Sequence, residues 1–169
     1  YSGLVGVMEC FLGKYGADIN AVDVGGQSPL HKAMHRGFVP VVEYLLSHGA
    51  NCNIQAAGTF LTPLHLACQR GMTAVVTILL QHGAHADVAT SEGRLPLHYA
   101  AGANAAACLS LVGRDEGWNI PDRGGQTPLL CAVAHNATAA LTFLLSSPSN
   151  ATSPSSPSSP SNATSPSSP

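Results

Sequence analysis

Ser28-Pro-Leu-His31, Thr62-Pro-Leu-His65, Leu95-Pro-Leu-His98 and Thr127-Pro-Leu-Leu130 decide the fold of this chain. Their starts lie 34, 33 and 32 residues apart. A second marker, Gly-Ala, follows 21 residues after the first two starts, at Gly49-Ala50 and Gly83-Ala84. Gly16-Ala17 is the same marker for an earlier, truncated copy. A period of this length predicts one supersecondary unit stacked on itself.

Each unit reads as a turn followed by two short helices. Asp23-Val-Gly-Gly26 is turn chemistry. Ser28 is a helix N-cap, and Pro29 sits at the first helical position, where its missing N–H costs nothing. Leu30, Ala33 and Met34 share one face, and Gly37 can end that helix in a left-handed conformation. Val41, Val42, Leu45 and Leu46 form the stripe of a second helix ending at Gly49. The next unit repeats this with Leu64, Ala67, Cys68, Gly71, Val75, Val76, Leu79, Leu80 and Gly83. One pair cannot bury its stripe alone. Burying each Val or Leu between stacked pairs contributes roughly 1.5–3 kcal/mol. Small residues at Ala33, Ala67, Ala100, Ala101 and Ala132 let helices approach closely.

The helix-start motif, the Val-Val-x-x-Leu-Leu-x-x-Gly-Ala second helix and the Asp-x-x-Gly turn resemble the ankyrin repeat over residues 3–145. The resemblance implies an all-α solenoid of stacked helix pairs with β-turn fingers. It also implies that His31, His65 and His98 are structural hydrogen-bonders. The expected division is a partial repeat at 1–22 and repeats at 23–55 and 56–89. A degenerate repeat at 90–121, a C-terminal repeat at 122–146 and a tail at 147–169 complete it.

The pattern departs in places. Only the second helix of the first unit is present, around Val5–Lys14, with Glu9 and Gly13 at positions apolar in the next repeat. An incomplete unit exposes its neighbour's interface, which predicts upstream repeats in a longer parent chain. The finger before Thr62 has one extra residue and no Asp. Its Phe60 and Leu61 form either a small hydrophobic binding element or a plug on the adjacent finger. Leu95 replaces a capping residue, which costs about 1 kcal/mol. Trp118, in an irregular charged loop, is either an interface anchor or the cover of a thin core. After Arg123 the chain has no charged residue, so the last unit is poorly capped.

The 24 residues from Ser146 to Pro169 hold twelve Ser and six Pro, and Pro148–Pro157 recurs intact at Pro160–Pro169. No large apolar side chain offsets the ordering entropy there, predicting a disordered tail with polyproline-II bias. It is either a passive spacer or a substrate for proline-directed kinases at Ser147, Ser153, Ser156, Ser159, Ser165 and Ser168. Sequons at Asn136, Asn150 and Asn162 matter only in a secretory protein.

Composition excludes several functions. Charged residues are 9% and the formal net charge is −2, which disfavours a nucleic-acid or anionic-membrane binder. No apolar run reaches the ~20 residues of a transmembrane helix. Five cysteines without a Cys-x-x-Cys spacing read as reduced thiols, predicting an intracellular protein of the cytoplasm or nucleus. The chain opens Tyr1-Ser2-Gly3, with no initiator Met and no signal peptide visible. His82 and His85 straddle a helix end, with no Cys or carboxylate beside them to complete a zinc set. No nucleophile has a partnered base, and Cys68 falls in the small-residue core column. Neither catalysis nor a cofactor is expected.

What remains is surface. The resemblance implies binding through finger tips and exposed positions of the first helices. Those are Val24, Gly25, Gln27, His35 and Arg36, then Phe60, Leu61, Gln69 and Arg70. Glu92, Arg94, Arg123 and Gln126 follow. Arg36 and Arg70 share one column, so they serve either as ordinary solubilising charge or as a clamp for a carboxylate or phosphoserine. The expected function is a monomeric module binding a protein partner along its concave face. The alternatives are a recruiting segment of a larger enzyme or channel, and a structural spacer.

Overall fold

The computed structural model describes Gly6, residues 16–113 and residues 117–146. The partial repeat's helix, the sequons at Asn150 and Asn162 and all six Ser-Pro serines lie outside the described residues, as do the tail and the charged segment 114–116. Eight α-helices stand among the described residues, with no strand. They are α1 (Pro29–Arg36), α2 (Val39–Ser47), α3 (Pro63–Gln69), α4 (Thr73–Gln81), α5 (Pro96–Gly102), α6 (Ala106–Val112), α7 (Pro128–Ala134) and α8 (Thr138–Ser146). A 3-10 turn, Gly117–Asn119, precedes the last pair. None of them is long and apolar enough to cross a membrane.

The helices pair in sequence order, and each pair packs on the next. The first helices form one row, α1 on α3 on α5 on α7. The second helices form another, α2 on α4 on α6 on α8. The apolar stripes lie between the rows. Val42, Leu45, Val75, Val76 and Leu79 are essentially sealed from water, and Ala67, Ala100, Ala101 and Ala132 fill the close approaches. One continuous core runs through every pair.

Three sets of hydrogen bonds join the pairs. The first is a histidine relay. The Ser28, Thr62 and Leu95 backbone N–H groups donate to Nδ1 of His31, His65 and His98 at 3.2, 3.2 and 3.1 Å. With Nδ1 an acceptor, the neutral ring carries its proton on Nε2. His31 Nε2 then donates to the Leu61 carbonyl at 3.0 Å, and His65 Nε2 to that of Arg94 at 3.2 Å. His98 Nε2 reaches the carbonyls of Ile120 and Gln126. Each histidine therefore closes its own helix start and grips the next finger. The structural role implied for these three residues is what they have.

The second set joins finger to finger by one backbone bond each. Ala57 N–H donates to Gly25, Ser91 N–H to Thr59 and Arg123 N–H to Glu92. The third set lies at the opposite end, where the Asn20, Asn53 and Asn104 side chains accept from the backbone N–H groups of Asn51, His85 and Ala140.

Local chemistry explains the ends. Gly37 (φ 71°) closes α1 in the left-handed region, with Phe38 N–H reaching back to the Ala33 carbonyl. In the last two pairs Asn104 (φ 57°) and Asn136 (φ 52°) take that position, the residue type that best tolerates it after glycine. At Leu95 no side-chain oxygen exists, so only the His98 half of the cap remains.

Trp118 is buried, with its ring centroid 5.7 Å from that of Phe143. It covers the core between the last two pairs. As the chain's one tryptophan, its emission is expected to be blue-shifted in the folded protein and to move red on unfolding. A native spectrum matching that of the unfolded chain would place the indole in water instead.

Candidate functional site

The finger turns come first, because their acids decide which cations are free. Asp23 Oδ1 accepts from Gly25 N–H and Gln27 N–H, both at 2.9 Å, and Asp122 Oδ1 accepts from Gly124 N–H and Gln126 N–H, both at 2.8 Å. The other carboxylate oxygen of each takes a cation. Lys32 Nζ lies 2.6 Å from Asp23, and Arg94 Nε lies 2.8 Å from Asp122 and 3.4 Å from Glu92. Lys32 beside Asp23 and Arg94 beside Asp122 each hold the carboxyl below its usual range.

Arg94, foreseen as a partner contact, is therefore engaged within the fold. Leu61, foreseen with Phe60 at a finger tip, is half-buried and packs on the core. Its carbonyl receives His31. Phe60 itself stands exposed at φ 55°. The extra residue of this finger is taken up there. Ala56 N–H reaches the Leu61 carbonyl five residues on, where the Asp23 and Asp122 fingers close over four.

His35, Arg36, Gln69 and Arg70 are exposed at the ends of α1 and α3, and Arg123 is exposed on the last finger. Among the described residues three ion pairs occur, and none involves Arg36, Arg70 or Arg123. Counting from each helix start, Arg36 and Arg70 share a column with Ala103 and His135, while His35 and Gln69 share theirs with Gly102 and Ala134. The small pair Gly102 and Ala103 opens a groove of about 430 Å³, lined also by Gln69, Tyr99 and His135. Residues singled out from the sequence missed this groove. The signal was present in the columns, as two small residues where the preceding units carry His-Arg and Gln-Arg.

Nothing in this arrangement is built for bond-making. Burial pushes the thiols of Cys52, Cys68, Cys108 and Cys131 up, away from the thiolate a nucleophile needs. No three His, Cys, Asp or Glu side chains gather as a metal site among the described residues.

Fold and surface together define a helical repeat protein that presents side chains rather than a reaction centre. The sequence matches the description "Ankyrin repeats (3 copies)" over residues 1–90 and 64–155, and the chain belongs to the ankyrin-repeat family. It is similar to protein phosphatase 1 regulatory subunit 27 of Homo sapiens, with 46% identity over 50 residues, 28% of this chain and 32% of that protein. The chain thus matches about a third of that relative's length. Ankyrin repeats are protein-interaction modules, and a relative named as a regulatory subunit also points to a non-catalytic role.

Proposed function

We propose that this segment binds a protein partner through the concave face of α1, α3, α5 and α7 and the finger tips, without catalysis of its own. One observation carries the reading. Arg36 and Arg70 stand in one exposed column with no carboxylate partner, while Lys32 and Arg94 are held by finger acids. A guanidinium serves a partner carboxylate or phosphate through its fork of donors. Phe60 and Arg123 extend the surface along the fingers. The partner is a protein met inside the cell, in cytoplasm or nucleus, and the segment acts as a monomer.

Affinity capture from cell lysate, quantified by mass spectrometry, tests this. The wild-type chain is compared with an Arg36→Glu, Arg70→Glu variant, each first shown folded by circular dichroism. Both sites are exposed, so stability should change by no more than about 0.5 kcal/mol. Partners retained by the wild type and lost by the variant are expected. Identical partner sets from both would remove this column from the surface.

A further inference from the structure

The groove at Gly102 and the bare arginine column are parts of one surface. Gln69 lines the groove and is followed directly by Arg70. Gly102 is not held there by its backbone, since it lies in α5 and outside the left-handed region. Its place among large residues is not forced by packing either. A Cβ on it would sit 3.4 Å from His135 Nδ1, at the edge of ordinary contact with an exposed side chain. Glycine is disfavoured in helices, so the residue leaves space at a position that Ala would stabilise.

The groove carries no free charge. Arg94 at its edge is neutralised by Asp122 and Glu92. The Tyr99 ring, Ala103 and Ala134 supply apolar wall. Beyond Gln69 the surface changes sign, with Arg36 and Arg70 unpaired. An occupant complementary to both halves is uncharged at one end and acidic along the other.

We propose that this surface holds an extended acidic segment of a partner protein, one apolar side chain seated between Tyr99 and His135 and carboxylates lying along Arg70 and Arg36. The inference rests on the interaction reading above and adds the chemistry of the bound segment. Packed helices are about 8–10 Å apart, and an extended chain advances about 3.3 Å per residue. Arg70 therefore meets a residue about three positions from the anchor, and Arg36 one about six positions from it.

Selection of a phage-displayed random dodecapeptide library on the full chain tests this, followed by fluorescence polarisation with the selected peptides. Three variants serve: Arg36→Glu, Arg70→Glu, and Gly102→Gln, which restores the residue type of the preceding unit. Acidic peptides sharing one apolar position are expected. Their affinity should fall about tenfold or more with each arginine reversal and weaken with salt. It should fall similarly with Gly102→Gln, while circular dichroism stays unchanged. Peptides of other chemistry, or acidic peptides indifferent to Gly102→Gln, would overturn the inference and leave the interaction reading standing. No selected peptide, with lysate partners still lost in the double arginine variant, would also overturn it. No peptide and no lysate partner would sink both.

Discussion

Acidification from pH about 7.5 to about 5 is expected to cost this solenoid on the order of 2 kcal/mol of unfolding free energy through His65 alone. The ring is sealed from water, and burial pushes its pKa from 6.5 down to about 4. Protonation would also put a proton on Nδ1, where the Thr62 N–H already points. Between about 6.5 and about 4 the unfolded chain holds the proton and the folded chain does not, so stability falls as the pH falls through this window. His31 and His98 are displaced in the same direction by burial and add to the loss. The depressed carboxyls of Asp23 and Asp122 act below this window, in the carboxylate range. Urea unfolding at the two pH values, read by Trp118 emission, measures the effect. A midpoint unchanged between them would mean that the buried rings are not neutral relays.

Gly26→Ala is expected to cost about 2–4 kcal/mol, while the equivalent Gly125→Ala costs about 1. Both glycines hold a left-handed φ, at 68° and 76°. The difference lies in what stands beside them. A Cβ on Gly26 would fall 2.4 Å from the Ala57 backbone nitrogen, the atom that donates to Gly25 across the fingers. Nothing among the described residues lies within 4 Å of the Gly125 position. Gly93, with the Arg123 nitrogen 3.1 Å away, should fall between them. Equal losses at Gly26 and Gly125 in thermal melts would show that the finger contact carries no weight.

Much of this was legible because repetition makes each unit a control for the others. The Pro-Leu-His starts, the Val-Val-x-x-Leu-Leu stripes and the alanine columns predict the two helix rows that the structure has. What escaped has physical causes. The Arg94–Asp122 pair joins residues 28 apart in sequence across two fingers, so no local spacing announces it. The Trp118 ring looked equally suited to solvent or core until Phe143 was brought against it. Asn104 and Asn136 end their helices through a backbone conformation that composition does not reveal. The groove at Gly102 is an absence of side chain, visible only when columns are compared across units.

Every substantial helix contact in this chain runs within one pair or between adjacent pairs. A protein pulled from its two ends would therefore load its interfaces in series, like links of a spring. Each link holds by one apolar contact and a few hydrogen bonds, so the weakest yields first and lengthens the whole without melting the rest. Leu95 and the short α6 mark where that first link lies. A binding surface laid across the α3–α5 and α5–α7 contacts would change shape with tension, and a ligand bridging them would stiffen the spring.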